Sequence, residues 1–270
     1  MADMFLFMRH GWKSIWKQKN IWLFSVLPIF NQLFNIFRIE IDANLLLRCV
    51  WVILSFFFII LSFISTIGVP YVAYRSLIGA PATIQETLLA VKKFSGRVIG
   101  CSCLGLLVLS PIIFWILATS IDNSTRTLEI SNNINLVILP LSIFTALGQF
   151  TIITFFEKDW GIRQSLAKAW NLFTSHFCVL AILGLILTVI FNVYLVISGL
   201  LTVLIQSGFD IASISNFNML APQASLSKNV LFVLLNGIGQ IVFVPLRAFI
   251  FVSAYLKYSD VKLSFLTRTR

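Results

Sequence analysis

"EKDWGIRQSLAKAWNLFTSHF" occupies Glu157–Phe177 and separates two long stretches that carry no charged residue. At 100° per residue, Ile162, Leu166, Ala169, Trp170 and Phe173 fall within an arc of about 100°, and Arg163, Gln164, Lys168 and Asn171 face away. Asp159 stands where it can cap the start. Such a helix is too polar to cross a bilayer. It is expected to lie in the membrane interface, its apolar face in the acyl boundary or on the bundle. Trp170 suits that depth, because indole joins an apolar body to a donor that wants water.

The pattern recurs. In "MFLFMRHGWKSIWKQKN", Phe5, Met8, Trp12, Ile15 and Trp16 share a stripe beside Arg9, Lys13 and Lys17. In "PATIQETLLAVKKFSGR" the stripe is Ile84, Leu88, Val91 and Phe94, and Thr83–Glu86 has the form of a capping box. Interfacial helices are therefore expected over about 4–19, 82–96 and 159–175. Each precedes an apolar run, a short connection and a second apolar run, with Trp12, Phe94 and Trp170 in equivalent places. This layout fits a threefold repeat of helix plus hairpin. It fits equally a six-span protein whose loops are amphipathic without duplication.

Hydrophobic residues make up 59% of the chain and charged ones only 11%, against about 25% charged in a soluble domain. With a mean hydropathy of +0.95, this is an all-α polytopic membrane protein, a single membrane domain over 1–270. Six transmembrane helices are expected at about 21–37, 49–71, 98–121, 134–156, 177–205 and 230–256, each long enough for a hydrocarbon core about 30 Å thick. The net charge of +10 is not a nucleic-acid signal. Arg9, Lys13, Lys17, Lys19, Arg75, Lys92, Lys93, Arg97, Lys158, Arg163, Lys168, Arg247, Lys257, Lys262, Arg268 and Arg270 all fall on one side of this topology. Arg38, Arg48, Arg126 and Lys228 fall on the other. The positive-inside rule then puts both termini in the cytoplasm, with anionic headgroups as partners of the basic face.

"FEKDWGIRQSLAKAWNLFTSHFCVLAILGLIL" is similar to the signature of a bacterial family of six-span membrane proteins. The family includes the YciC-like proteins and the membrane domain fused to some glycerophosphodiester phosphodiesterases. The resemblance is carried by Gly161–Ile162, Ser165–Leu166, Lys168 and Trp170, by "GWKSIWKQKNIWLF" near the start and by "VPLRAFIFVSAYLKYSD" near the end. It implies a bacterial cytoplasmic (inner) membrane, and it brings no catalytic residue with it.

The chain supplies little for chemistry. His10 and His176 have no cluster of ligands around them, so no metal or other cofactor is expected. None of the ten acidic residues lies mid-span, which weighs against ion-coupled transport. "NGIG" at Asn236–Gly239 lacks the lysine of a phosphate loop, and "NST" at Asn123 is a bare glycosylation sequon. Cys49, Cys101, Cys103 and Cys178 read as packing residues without a bridge.

Neutral polar residues remain inside the spans: Asn31, Gln32, Asn35, Gln149, Asn192, Tyr194, Asn236 and Gln240. They form hydrogen bonds between helices or line a polar cavity for a small solute or lipid headgroup. Arg247 either snorkels to the cytoplasmic headgroups or holds an anionic group within the bundle. The expectation is a non-enzymatic protein that binds or organises lipid, or scaffolds a protein partner, at its cytoplasmic face. Its contact residues would be Arg247, Asn236, Gln240, Gln149, Asn192 and Asn31, and its anchors Trp12, Trp16 and Trp170. The alternative is a permease or transporter subunit for a small solute or lipid.

Overall fold

The structure is a computed structural model that describes residues 2–36, 45–120, 134–209 and 229–259. The connections that include Asn123, and the basic residues Arg38, Arg126, Lys228, Lys262, Arg268 and Arg270, lie outside the described residues. Within them the chain is all helix: α1 (Ala2–Ile15), α2 (Lys19–Ile36), α3 (Leu45–Leu77), α4 (Ile84–Ser120), α5 (Ile134–Glu157), α6 (Ile162–Ser175), α7 (Phe177–Gln206) and α8 (Val230–Tyr258). Three are long and apolar enough to cross a membrane, over Cys49–Leu77, Phe177–Gln206 and Val230–Tyr258. Their outward sides carry rows of large apolar groups, such as Ile53, Phe56, Phe57 and Ile60 on α3 and Val189, Val193 and Ile197 on α7. Rows of this extent suit contact with hydrocarbon rather than water.

α8 is the axis of the bundle, packed by α1, α2, α3, α5 and α7. From Ala248 to Leu256 no residue is more than 3% exposed. An uninterrupted apolar run is apolar on every side of its helix, so neighbours must surround it. α1 crosses α8 where Gly11 meets Leu246 and Ile250, and a methyl at Gly11 would come within 2.9 Å of the Ile250 side chain. α1 therefore docks through Phe7, Gly11 and Ile15, one step round from the expected stripe. Of that stripe Ile15 turns inward, while Phe5, Trp12 and Trp16 stay exposed.

The second amphipathic segment differs from its expected form. The helix expected over about 82–96 and the span over about 98–121 are one continuous helix, α4, of 37 residues. No proline or turn interrupts Lys92–Gly105, so the change from polar to apolar composition passes without a break in the backbone. Thr83 and Glu86 do form the capping box: Glu86 accepts from the Thr83 N–H at 2.9 Å, and Thr83 Oγ1 accepts from the Glu86 N–H at 3.2 Å. These bonds hold the Glu86 carboxyl below its usual range, the Thr83 backbone bond first. Phe94 is buried against Phe155 and Phe156, so it is not the counterpart of the exposed Trp12 and Trp170.

α6 is a separate helix, as expected, broken from α7 at His176. Its start differs: the cap is Gly161 with no side-chain bond, and Asp159 is engaged elsewhere. Its innermost face is Ser165, Ala169 and Phe173, and the small Ser165 lets α6 lie close on Thr154 of α5. Trp170 is 55% exposed.

Candidate functional site

α5, α7 and α8 enclose a cavity of about 460 Å³. Arg247, Gln240, Phe243, Val244 and Phe251 line it from α8, and Gly184, Leu187, Thr188, Phe191, Asn192 and Leu195 line it from α7. Thr145 of α5 closes the far side. On α8 the spacing 240, 243, 244, 247, 251 is that of one helical face, so the sequence alone places Gln240 and Arg247 together, two turns apart. What brings Asn192 and Thr188 opposite them is the packing of α7 on α8. That packing is close because Gly239 has no side chain: a methyl there would stand 2.0 Å from the Tyr194 ring. The Tyr194 hydroxyl donates to the Leu235 carbonyl and fixes the ring in that place.

The cavity is mostly apolar, with a few convergent polar groups, and its size is that of a ligand site. Its electrostatics are one-sided. Arg247 has no carboxylate and no hydrogen-bond partner among the described residues, and the Gln240 amide has none either. Asn192 Nδ2 donates along its own helix to the Thr188 carbonyl at 2.9 Å, and the Thr188 hydroxyl donates to the Gly184 carbonyl at 2.8 Å. Asn192 is exposed on the outer flank of α7, next to the apolar Val189 and Val193. Arg247 stands eleven residues before the end of α8 at Tyr258, about 16 Å along the axis.

Three of the expected contact residues thus meet here: Arg247, Gln240 and Asn192. Asn236 does not join them. It is buried on another side of α8, where its Nδ2 donates to Gln32 Oε1 of α2 at 3.4 Å, so it bonds helix to helix. Asn31 and Gln149 are half-buried, line no part of the cavity and have no partner among the described residues.

A second cluster was not foreseen from the sequence. Glu157, at the end of α5, receives Lys168 Nζ of α6 at 2.6 Å and the Tyr255 hydroxyl of α8. Lys168 also lies 4.4 Å from the Trp160 ring. Beside it, Asp159 pairs with Arg97 at 2.6 Å and Lys93 at 3.1 Å, and Arg97 donates to the Trp160 carbonyl at 3.0 Å. Hydrogen bonds from Lys93 and then Arg97 hold the Asp159 carboxyl below its usual range. The signal for this cluster was the acidic pair Glu157 and Asp159 in the tight turn between α5 and α6, which brings both acids back onto neighbouring helices. These contacts gather α4, α5, α6 and α8 at one end of the bundle, the basic end, and every charge in them is answered within the chain.

The four cysteines are free thiols. No group of three or more His, Cys, Asp or Glu converges among the described residues. No family model matches the chain, and neither does any curated protein or solved structure.

Proposed function

We propose that this is a non-enzymatic, six-span protein of a bacterial cytoplasmic membrane that binds and organises anionic lipid. Both termini and the basic end would lie in the cytoplasm, in keeping with the positive-inside rule and with the resemblance to the six-span family. The observation that carries the reading is the cavity between α5, α7 and α8. It presents an arginine without a counter-charge among the described residues, and it adjoins the exposed apolar flank of α7. An ionisable residue held at that depth marks a binding or transit site. Trp12, Trp16 and Trp170, all exposed, would seat the basic end among the headgroups.

The test is the lipid that accompanies the protein through mild detergent. The parent should retain lipid that Arg247→Leu releases at equal folding. Equal retention by both would remove the cavity from lipid binding. Indole quenching by lipids brominated near the headgroup should reach Trp12, Trp16 and Trp170, and quenching only by lipids brominated at the chain ends would contradict the anchoring. One observation favours the second reading, a permease. Arg247 lies about 16 Å inside the end of α8, near where the middle of a ~30 Å core would fall, and transporters place their substrate sites at that depth.

A further inference from the structure

The charge inside the cavity narrows what can occupy it. We infer that the occupant is a lipid with a phosphodiester and an uncharged, hydroxyl-bearing headgroup, a monoanion overall; this rests on the lipid-binding reading above. Arg247 is the one cation that lines the cavity, and no carboxylate lines it among the described residues. In a low-dielectric site a single cation neutralises a single charge, and a second negative charge would stay unpaired at high cost. A phosphomonoester dianion is therefore a poor fit. A zwitterionic headgroup fits no better, because its ammonium would be stripped of water with no carboxylate to receive it.

The spacing of donors separates the remaining candidates. The guanidinium presents a planar fork that matches two phosphate oxygens. The Gln240 amide, two turns along the same face of α8, has no partner among the described residues and lines the same cavity. A second polar group on the ligand, about 10 Å from the phosphate site along the helix axis and closer between side-chain tips, would satisfy it. A fatty acid has no such group. A phosphodiester lipid has ester carbonyls on one side of its phosphate and headgroup hydroxyls on the other. Leu187, Phe191 and Leu195 supply an apolar wall for the glycerol and the upper acyl chain. The rest of the chain would run along the exposed Val189 and Val193 of α7.

The experiment is native mass spectrometry of the full-length protein in mild detergent. Four probes are added separately: phosphatidylglycerol, phosphatidylethanolamine, lauric acid and glycerophosphoglycerol, the water-soluble phosphodiester monoanion left when phosphatidylglycerol loses its acyl chains. The readout is the bound fraction that Arg247→Leu abolishes, so lipid held by the basic end does not count. Phosphatidylglycerol should exceed phosphatidylethanolamine by about tenfold, the scale of a charge left unmatched, and laurate by roughly fivefold, the worth of the hydrogen bond to Gln240. Arg247→Lys should lower its retention roughly three- to tenfold, through loss of the fork. Gln240→Leu should lower it roughly fivefold, the worth of one neutral hydrogen bond. Equal retention of phosphatidylglycerol and phosphatidylethanolamine, both dependent on Arg247, would overturn this lipid class and leave the cavity a lipid site without preference for anionic headgroups. Glycerophosphoglycerol binding as well as the lipid would overturn both and point to a free anion. If Arg247→Leu fails to fold, the fraction lost in Gln240→Leu, a second substitution in the cavity lining, serves as the readout in its place.

Discussion

The basic end and the α5–α7–α8 cavity handle charge in opposite ways. At the basic end Glu157 is met by Lys168 and Tyr255, and Asp159 by Lys93 and Arg97, so each acid finds its partners on a neighbouring helix. In the cavity Arg247 meets none among the described residues. A charge answered inside the chain explains how helices are tied together. A charge left unanswered within the bundle destabilises the fold, and the proposed occupant of the cavity would account for it.

The two regions should respond differently to losing their charges. The largest effect is expected at Glu157. Glu157→Leu leaves Lys168 and the Tyr255 hydroxyl facing an apolar group, and it should cost about 3 kcal/mol in thermal unfolding in detergent. Next comes Gly239→Ala, which drives a methyl into the Tyr194 ring and separates α7 from α8 beside the cavity. It should cost ~2 kcal/mol and reduce lipid retention along with stability. Arg247→Leu should leave stability within about 1 kcal/mol of the parent, or raise it, since it removes an unpaired charge. Equal destabilisation by Glu157→Leu and Arg247→Leu would erase the contrast and make Arg247 structural.

The smallest effect sharpens the basic end. The folded-state pKa of Asp159 is depressed by its hydrogen bonds to Lys93 and Arg97. Its contribution to holding α6 on α4 is therefore present above the unfolded value, and it is lost as pH falls through the folded value, in the range below about pH 4. An acid titration followed by tryptophan fluorescence should show a transition in the parent, since Trp160 adjoins the pair, that Asp159→Asn lacks. The same transition in both proteins would assign it to another carboxyl.

Much of the architecture was legible because it is local. The ends of α2, α5, α6, α7 and α8 lie within a few residues of where composition changes, and the Thr83–Glu86 box is a matter of spacing alone. What failed was the inference from composition to a helix break: at Arg97 the chain turns apolar, yet α4 runs on. The docking line of α1 was also misplaced by a step, whereas on α6 Ala169 and Phe173 of the expected stripe are buried and Ser165 joins them. Hydropathy weights large side chains, whereas Gly11 and Ser165, the residues that let helices touch, are small. In the candidate site, the shared face of Gln240 and Arg247 was readable from a period of seven. That Asn192 joins them while Asn236, four residues before Gln240, turns toward Gln32 depends on which helix packs on which side of α8.

The unbroken α4 has a mechanical consequence. Its 37 residues make a rod about 55 Å long, almost twice the ~30 Å thickness of a hydrocarbon core. In the proposed six-span arrangement, one part of it would stand clear of the core or lean steeply within it. Lys93 and Arg97 sit on this rod, and through Asp159 and the Trp160 carbonyl they grip the turn that leads into α6. In that arrangement a change in bilayer thickness that altered the lean of α4 would be carried, as by a lever, to the turn where Glu157 ends α5. From there it would reach α8 through Tyr255, two turns beyond Arg247 on the helix that forms one wall of the cavity.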